Sequence, residues 1–141
     1  MLERAASVTD DAITIPIEGD ADIVAARLKS RQLAKQVGFT GTDLVLIATA
    51  ISEITRNIVC YATGGQMTLT AVTEGRRRGI TFVMRDQGPG ISDVQQAMRD
   101  GFSTGKSLGL GLPGARRLMD DFQIVSSAGQ GTTVTMSKWL R

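Results

Sequence analysis

Histidine is absent from this 141-residue sequence, and cysteine occurs once, at Cys60. Without histidine the chain holds no Ser-His-Asp triad, no His-ligated zinc or haem, and no phosphohistidine acceptor. A single cysteine excludes an internal disulfide and a Cys₄ metal site, and it fits a reducing compartment. Aromatics are scarce, with four Phe, one Tyr and one Trp, so no stacking platform for single-stranded nucleic acid is expected. Charge is nearly balanced: 16 Lys+Arg against 14 Asp+Glu leaves +2, too little to argue for nucleic acid. The basic triplet Arg76, Arg77, Arg78 lies between Gly75 and Gly79 and reads as a solvated hairpin turn. The apolar run 44–51 falls far short of the roughly 20 residues of a membrane helix. Met1, Leu2, Glu3 and Arg4 lack the apolar core of a signal peptide. The expectation is a soluble cytoplasmic protein with neither a nucleic-acid nor a membrane partner.

Hydrophobic residues make up 42% of the chain and charged residues 21%, enough for one buried core and one compact domain. Residues 1–10 are polar and patternless and read as a flexible N-terminus, leaving 11–141 as the domain. Ile13, Ile15 and Ile17 alternate with Thr14 and Pro16, a short strand that the proline directs to a sheet edge. Asp20 is positioned to cap a helix to about Val37, with Ile23, Val24, Arg27, Leu28, Leu33, Ala34 and Val37 as its apolar stripe and Gly38 as its stop. Thr42 opens a second helix to about Tyr61, with Leu44, Ile47, Ala48, Ile51, Thr55 and Ile58 clustered on one side; Gly64-Gly65 ends that segment. Strands at about 66–73 and 80–85 flank the arginine turn. A short helix at about 92–99 interrupts a glycine-rich stretch, and Pro113 suits the first turn of a helix ending near Asp121. Strands at 122–127 and 132–138 close the chain as a hairpin. Cys60 and the methionines are assigned to packing. The order predicts an α+β two-layer sandwich: a mixed, mostly antiparallel sheet with helices on one face.

The 16 glycines cluster between 88 and 114, and glycine lets backbone N–H groups approach a ligand closely. Three phosphate-binding patterns compete. Residues 101–107 approximate a P-loop but have one residue too few between the glycines. Gly109-Leu-Gly111-Leu-Pro-Gly114 satisfies the dinucleotide fingerprint literally, yet it lacks the preceding strand and the later acidic residue that give it meaning. The third pattern is assembled from distant pieces. Glu53 and Asn57 stand at i, i+4 on one helix face, roughly opposite the apolar stripe. Asp86 ends an apolar strand and is followed by Gly88 and Gly90. Gly109 and Gly111 precede a helix N-terminus, and Thr132 follows Gly131 at a strand start. Together these groups can surround a nucleotide with Mg²⁺.

These pieces resemble the boxes of the GHKL ATPase/kinase superfamily (gyrase, Hsp90, histidine kinases, MutL). The N box is matched by Glu53-Ile-Thr-Arg-Asn57, the G1 box by Asp86-Gln-Gly88-Pro-Gly90, the G2 box by Gly109-Leu-Gly111, and the final Gly-Thr by Gly131-Thr132. Within the superfamily the chain is most similar to the small serine/threonine kinases of bacterial partner-switching pathways, in particular the stressosome switch kinases. Thr49-Ala-Ile-Ser-Glu53, Asp100-Gly-Phe-Ser-Thr104, Arg117-Leu-Met-Asp120 and Lys138-Trp-Leu-Arg141 carry that likeness. The sister anti-sigma kinases usually place His four residues after the N-box Asn, where this sequence has Tyr61.

The resemblance implies a Bergerat-type ATP-binding fold over the whole domain and Mg-ATP-dependent phosphorylation of a STAS-domain antagonist or scaffold protein. It also implies binding and activation of a PP2C-type phosphatase upon release, with a homodimer left open. Glu53 is then the general base for the acceptor hydroxyl. Asn57 is an oxygen ligand for Mg²⁺, and Asp86 accepts from the adenine amino group, aided by Thr132 through water. Gly88, Gly90, Gly109 and Gly111 allow close backbone approach, and Lys106 is a candidate phosphate ligand. Residues 103–108 are expected to be a lid, mobile without nucleotide and ordered by the γ-phosphate. The alternative reading is a nucleotide-dependent binding protein of the anti-sigma kind, without catalysis.

Overall fold

A computed structural model describes residues 6–8, 12–62, 64–89 and 111–141. Its elements run β1 (Ala6–Val8), β2 (Ile13–Ile17), α1 (Asp20–Val37), α2 (Thr42–Tyr61), β3 (Gly65–Glu74), β4 (Arg77–Asp86), α3 (Gly111–Leu118), β5 (Asp121–Ser126) and β6 (Thr132–Trp139). One six-stranded sheet follows the order β1-β3-β4-β6-β5, with β2 also pairing with β3. All the described pairings are antiparallel. The two-layer α+β sandwich expected from the element order is the architecture found.

Alternation along the strands builds the core. In β3, Met67, Leu69 and Ala71 are buried, and in β4, Ile80, Phe82 and Met84. Antiparallel register sets Leu69 opposite Phe82 and Phe82 opposite Met136. Met67 lies opposite Met84, and Met84 opposite Val134. Two apolar rows therefore cross the sheet and meet Ile47, Ile51, Ile54 and Ile58 of α2. Residues of the alternate parity, such as Thr68, Thr81 and Thr135, are half-buried, as expected of a sheet packed on one side.

Several local expectations are corrected. The N-cap of α1 is Gly19, not Asp20. Asp22 reaches back instead, its Oδ2 accepting from the amides of Glu18 at 2.8 Å and Gly19 at 3.2 Å. The buried seam of α1 is Ala26, Ser30, Leu33, Ala34 and Val37, whereas Val24, Arg27 and Leu28 are exposed. Small residues allow α1 to lie close to α2, which rotates the larger apolar side chains outward. Gly38 does stop the helix: at φ 125° its amide and that of Phe39 both close on the Ala34 carbonyl. Cys60 is exposed rather than packed, whereas Met67, Met84, Met119 and Met136 are in the core.

The arginine turn is narrower than expected, because Arg77 and Arg78 already belong to β4. Arg77 pairs with Glu74 and lies over the Trp139 ring at 4.0 Å. Ala6–Val8 pair with the far end of β3; main-chain pairing needs no side-chain pattern, so nothing in that stretch announced it. Pro16 does lie on β2, which pairs only with β3 among the described residues. The expected helix at 92–99 lies outside the described residues.

Phe82 is fully buried at the crossing of these rows. Phe82→Ala is expected to lower unfolding stability by about 3–5 kcal/mol. Val125→Ala, on an exposed side chain of β5, is expected to stay within about 0.5 kcal/mol. Urea unfolding of the two variants checks the contrast.

Candidate functional site

Four main-chain segments converge at one end of the sheet. The end of β4 brings Asp86, the start of β3 brings Gly64 and Gly65, the start of β6 brings Gly131 and Thr132, and α2 ends at Tyr61 beside them. Register places Asp86 opposite Gly65 on one side and Thr132 on the other. Asp86 Oδ1 accepts from the Gly88 amide at 2.8 Å, so the carboxylate folds the chain leaving the strand into an Asx-type turn. The Gln87 amide donates to the Gly64 carbonyl at 3.2 Å, and the Gly129 amide to the Pro89 carbonyl at 2.6 Å. These bonds tie the turn after Asp86 to both neighbouring loops.

The approach is too tight for side chains. A Cβ on Gly65 would stand 2.3 Å from the Arg85 carbonyl, and one on Gly131 would stand 2.3 Å from the Asp86 carbonyl. One on Gly88 would meet Ala62 Cβ at 2.7 Å. Gly131 has φ 75° as well, a left-handed conformation that glycine adopts freely. Glycine is thus required around Asp86 by contact, which the alternation in the sequence did not reveal for Gly65 or Gly131.

Asp86 is half-buried, and Gly88 N–H is its hydrogen-bond donor among the described residues. No described cation pairs with it, so the remaining acceptor capacity of the carboxylate is available to a ligand. Beside it, Ser126 Oγ donates to the Gly131 carbonyl at 2.9 Å and lies 2.7 Å from Thr132 Oγ1. A serine hydroxyl has one hydrogen, so Thr132 is the donor in that second contact and keeps lone pairs for a further donor such as water. Ser126 was not anticipated; its position opposite Thr132 across the closing hairpin was the available signal.

Glu53 and Asn57 lie on α2, about two turns and one turn before its end. On the helix wheel alone Glu53 would be an exposed carboxylate, but its exposure is only 7%. Arg56 Nη1 donates to Glu53 Oε2 at 3.0 Å. A buried carboxylate held by a cation on its own helix is costly to place by chance, which separates it from an ordinary surface glutamate. Asn57 is half-buried, and Ile58, the next residue, packs against the Gly65 position. The helix thus docks beside the strand that faces Asp86. Among the described residues no group of three or more His, Cys, Asp or Glu side chains is placed to hold a metal. A metal here needs most of its ligands from phosphate and water, which suits Mg²⁺ and a single carboxamide oxygen.

Of the predicted site residues, Asp86, Gly88 and Thr132 are brought together and Glu53 and Asn57 share the adjoining helix. Gly111 is the first residue of α3, which packs against α2. Gly90, Lys106 and Gly109, and the lid at 103–108, lie outside the described residues.

Comparison with known proteins agrees with this fold. The family model described as the histidine kinase-like ATPase domain matches residues 18–138. The serine/threonine-protein kinase RsbT of Bacillus subtilis is 47% identical over 132 residues, 94% of this chain and 99% of its own. An anti-sigma F factor of Thermoanaerobacter is 31% identical over 121 residues, 82% and 83% of the two chains. The crystal structure of the RsbU and RsbW domains of a Mycobacterium tuberculosis protein superposes with a TM-score of 0.62 at 22% identity, covering 94% of this chain and 34% of that longer one. This last match speaks for the fold alone.

Gly131 and Gly129 both have positive φ, at 75° and 79°, but a Cβ at 129 would meet nothing within 4 Å. Gly131→Ala is therefore expected to cost roughly 1–3 kcal/mol more than Gly129→Ala, the excess being the clash with the Asp86 carbonyl. Urea unfolding of both variants measures it.

Proposed function

The chain belongs to the histidine kinase-like ATPase domain family as an RsbT-type serine/threonine kinase, and from that premise we propose its chemistry and partners: it transfers the γ-phosphoryl group of Mg-ATP to a serine or threonine of a STAS-domain protein. When released from that partner it binds and activates a PP2C-type phosphatase. The observation that carries the catalytic part is the buried Glu53, paired with Arg56 and one turn before Asn57 on a helix that docks beside Asp86.

In this reading Asp86 selects adenine by accepting from its amino group, since guanine presents an oxygen at the corresponding edge. Thr132 supports that contact through a water, using the lone pairs left by its bond toward Ser126. Asn57 offers one oxygen to Mg²⁺. Gly88, Gly90, Gly109 and Gly111 are assigned to close backbone approach to the nucleotide, and Lys106 to a phosphate contact. When bound, Mg²⁺ offsets the triphosphate charge. Glu53 takes the proton of the acceptor hydroxyl as its oxygen bonds to the γ-phosphorus; the bond to the β,γ-bridging oxygen breaks, and ADP carries away that electron pair. The protein contributes positioning and a place for the proton, which is most of what phosphoryl transfer requires of it. No helix among the described residues is long and apolar enough to cross a membrane, and the proposed site of action is the cytoplasm.

A second reading follows from the anti-sigma F factor relatives: a nucleotide-dependent protein binder in which transfer is secondary. One substitution tests the nucleotide site that both readings share, and a second separates them. Asp86→Asn replaces a charge-assisted acceptor by an amide and is expected to weaken ATP binding by about 1.5–3 kcal/mol in calorimetry, with the fold intact. Glu53→Gln keeps the side chain's size and removes the proton acceptor. ATP binding should survive while single-turnover transfer to a STAS-domain acceptor falls by roughly 10²–10⁴-fold. Full transfer activity in Glu53→Gln would rule out the base assignment.

A further inference from the structure

Two short segments that carry the likeness to the switch kinases, Arg117-Leu-Met-Asp120 and Lys138-Trp-Leu-Arg141, have no part in the nucleotide site. The fold brings them together. Lys138 Nζ donates to the Leu118 carbonyl at 3.0 Å, and the Asp120 amide donates to the Ser137 carbonyl at 2.9 Å. Asp120 Oδ2 accepts from the Trp139 amide at 2.8 Å, and Asp120 Oδ1 accepts from Arg141. Asp121 Oδ2 accepts from the Trp139 indole at 2.8 Å. The chain leaving α3 is thus clasped to the last strand by main-chain and side-chain bonds together.

Lys138 is the telling member. It alternates along β6 with the buried Val134 and Met136 and stands opposite Ile80, so its side chain starts on the helix-covered face of the sheet. It is only 7% exposed. No described carboxylate pairs with it, and the Leu118 carbonyl is its hydrogen-bond partner among the described residues. A buried ammonium is costly unless something offsets its charge. Here the offset is the negative end of α3: Leu118 is the last residue of that helix, so its carbonyl has no partner within it. The helix needs such an anchor. It has eight residues, too few to be stable alone, and Gly111 and Gly114 in its first turn are poor helix formers. Ala115 and Met119 hold one side of it to the core, and the clasp fixes the end opposite Gly111. With α3 about 12 Å long, a tilt of about 10° at the clasped end moves Gly111 by roughly 2 Å, more than a hydrogen bond tolerates.

We propose that this clasp sets how tightly the protein holds the phosphates of its nucleotide: Lys138 and Asp120 fix the far end of α3 and so keep Gly111 in place for a phosphate oxygen. The proposal rests on the assignment of Gly111 to the nucleotide. It adds two residues that touch neither the nucleotide nor the reacting atoms. Both are positioning residues that act through α3 on nucleoside di- and triphosphates. Adenine recognition lies outside their reach, because the strands on either side of Asp86 fix that residue.

The test compares ATP, ADP and adenosine as ligands of the whole protein, with Mg²⁺, by displacement calorimetry. Lys138→Met keeps the length of the side chain and removes its charge. ATP and ADP should each bind about ten-fold more weakly, the worth of one charge-assisted hydrogen bond, while adenosine stays within about two-fold. Asp120→Asn keeps an acceptor for the Trp139 amide and loses the charge that faces Arg141; it should shift the ratio of ATP to adenosine affinity the same way by about three-fold. Phe82→Leu, which loosens the core outside the clasp, should lower stability to urea and leave that ratio unchanged. An unchanged ratio in folded Lys138→Met, or an equal fall in Phe82→Leu, overturns the proposal and makes the clasp an element of stability alone. Should Lys138→Met fail to fold, the ratio in Asp120→Asn decides by the same criterion. Wild-type protein that binds ATP no more tightly than adenosine would instead overturn the assignment of Gly111 to the phosphates, and this proposal with it.

Discussion

The site depends on the close approach of three backbones to Asp86. The end of β4 is squeezed between the starts of β3 and β6, so tightly that a methyl group on Gly65 or Gly131 would enter a carbonyl oxygen of β4 at 2.3 Å. Gly88 in turn rests on Ala62, the residue that ends α2. The carboxylate of Asp86 is therefore fixed by the sheet, and the helix carrying Glu53 and Asn57 is fixed against the same point. Packed elements do not shift continuously, and this contact keeps the carboxylates of Asp86 and Glu53 in a set relation although they lie 33 residues apart in sequence.

The sheet was largely legible because its signals were local. Period-two burial in β3 and β4, the glycine stop of α1 and the hairpin at 129–131 are properties of short windows. The helical seam of α1 was misread for a physical reason. Wheel arguments favour large apolar residues, whereas the contact with α2 is made through Ala26, Ser30 and Ala34, and Val24 and Leu28 were left outside. Capping by Asp22 rather than Asp20 is a similar case, since a glycine N-cap shifts the acidic partner inward. At the site, Glu53, Asn57, Asp86 and Thr132 could be picked out because boxes at fixed spacing mark them. Gly65 and Ser126 could not, and Gly131 was marked only as part of the Gly-Thr box, since the constraint on these residues is a cross-strand distance that exists only once the register is formed. The burial of Glu53 was likewise invisible on a helix wheel, because it depends on what packs around α2 in the folded chain.

The carboxylate and the carboxamide of α2 have different surroundings. Asn57 lies toward the helix terminus that meets the strand ends beside Asp86. Glu53, a turn earlier, reaches the groove between α1 and α2. The chain shares this scaffold with relatives named as a kinase and as anti-sigma factors, so the fold alone does not decide between transfer and binding; Glu53 and what reaches it do.

The most direct test of the central claim is incubation of the protein with [γ-³²P]ATP, Mg²⁺ and a panel of purified STAS-domain proteins, followed by acid and alkali treatment of the labelled products. The account predicts label on a STAS-domain protein that is stable to acid and identified as phosphoserine or phosphothreonine by phosphoamino-acid analysis, with none formed when Mg²⁺ is chelated. ATP binding without label transfer to any STAS-domain protein, or label that acid removes, would contradict it.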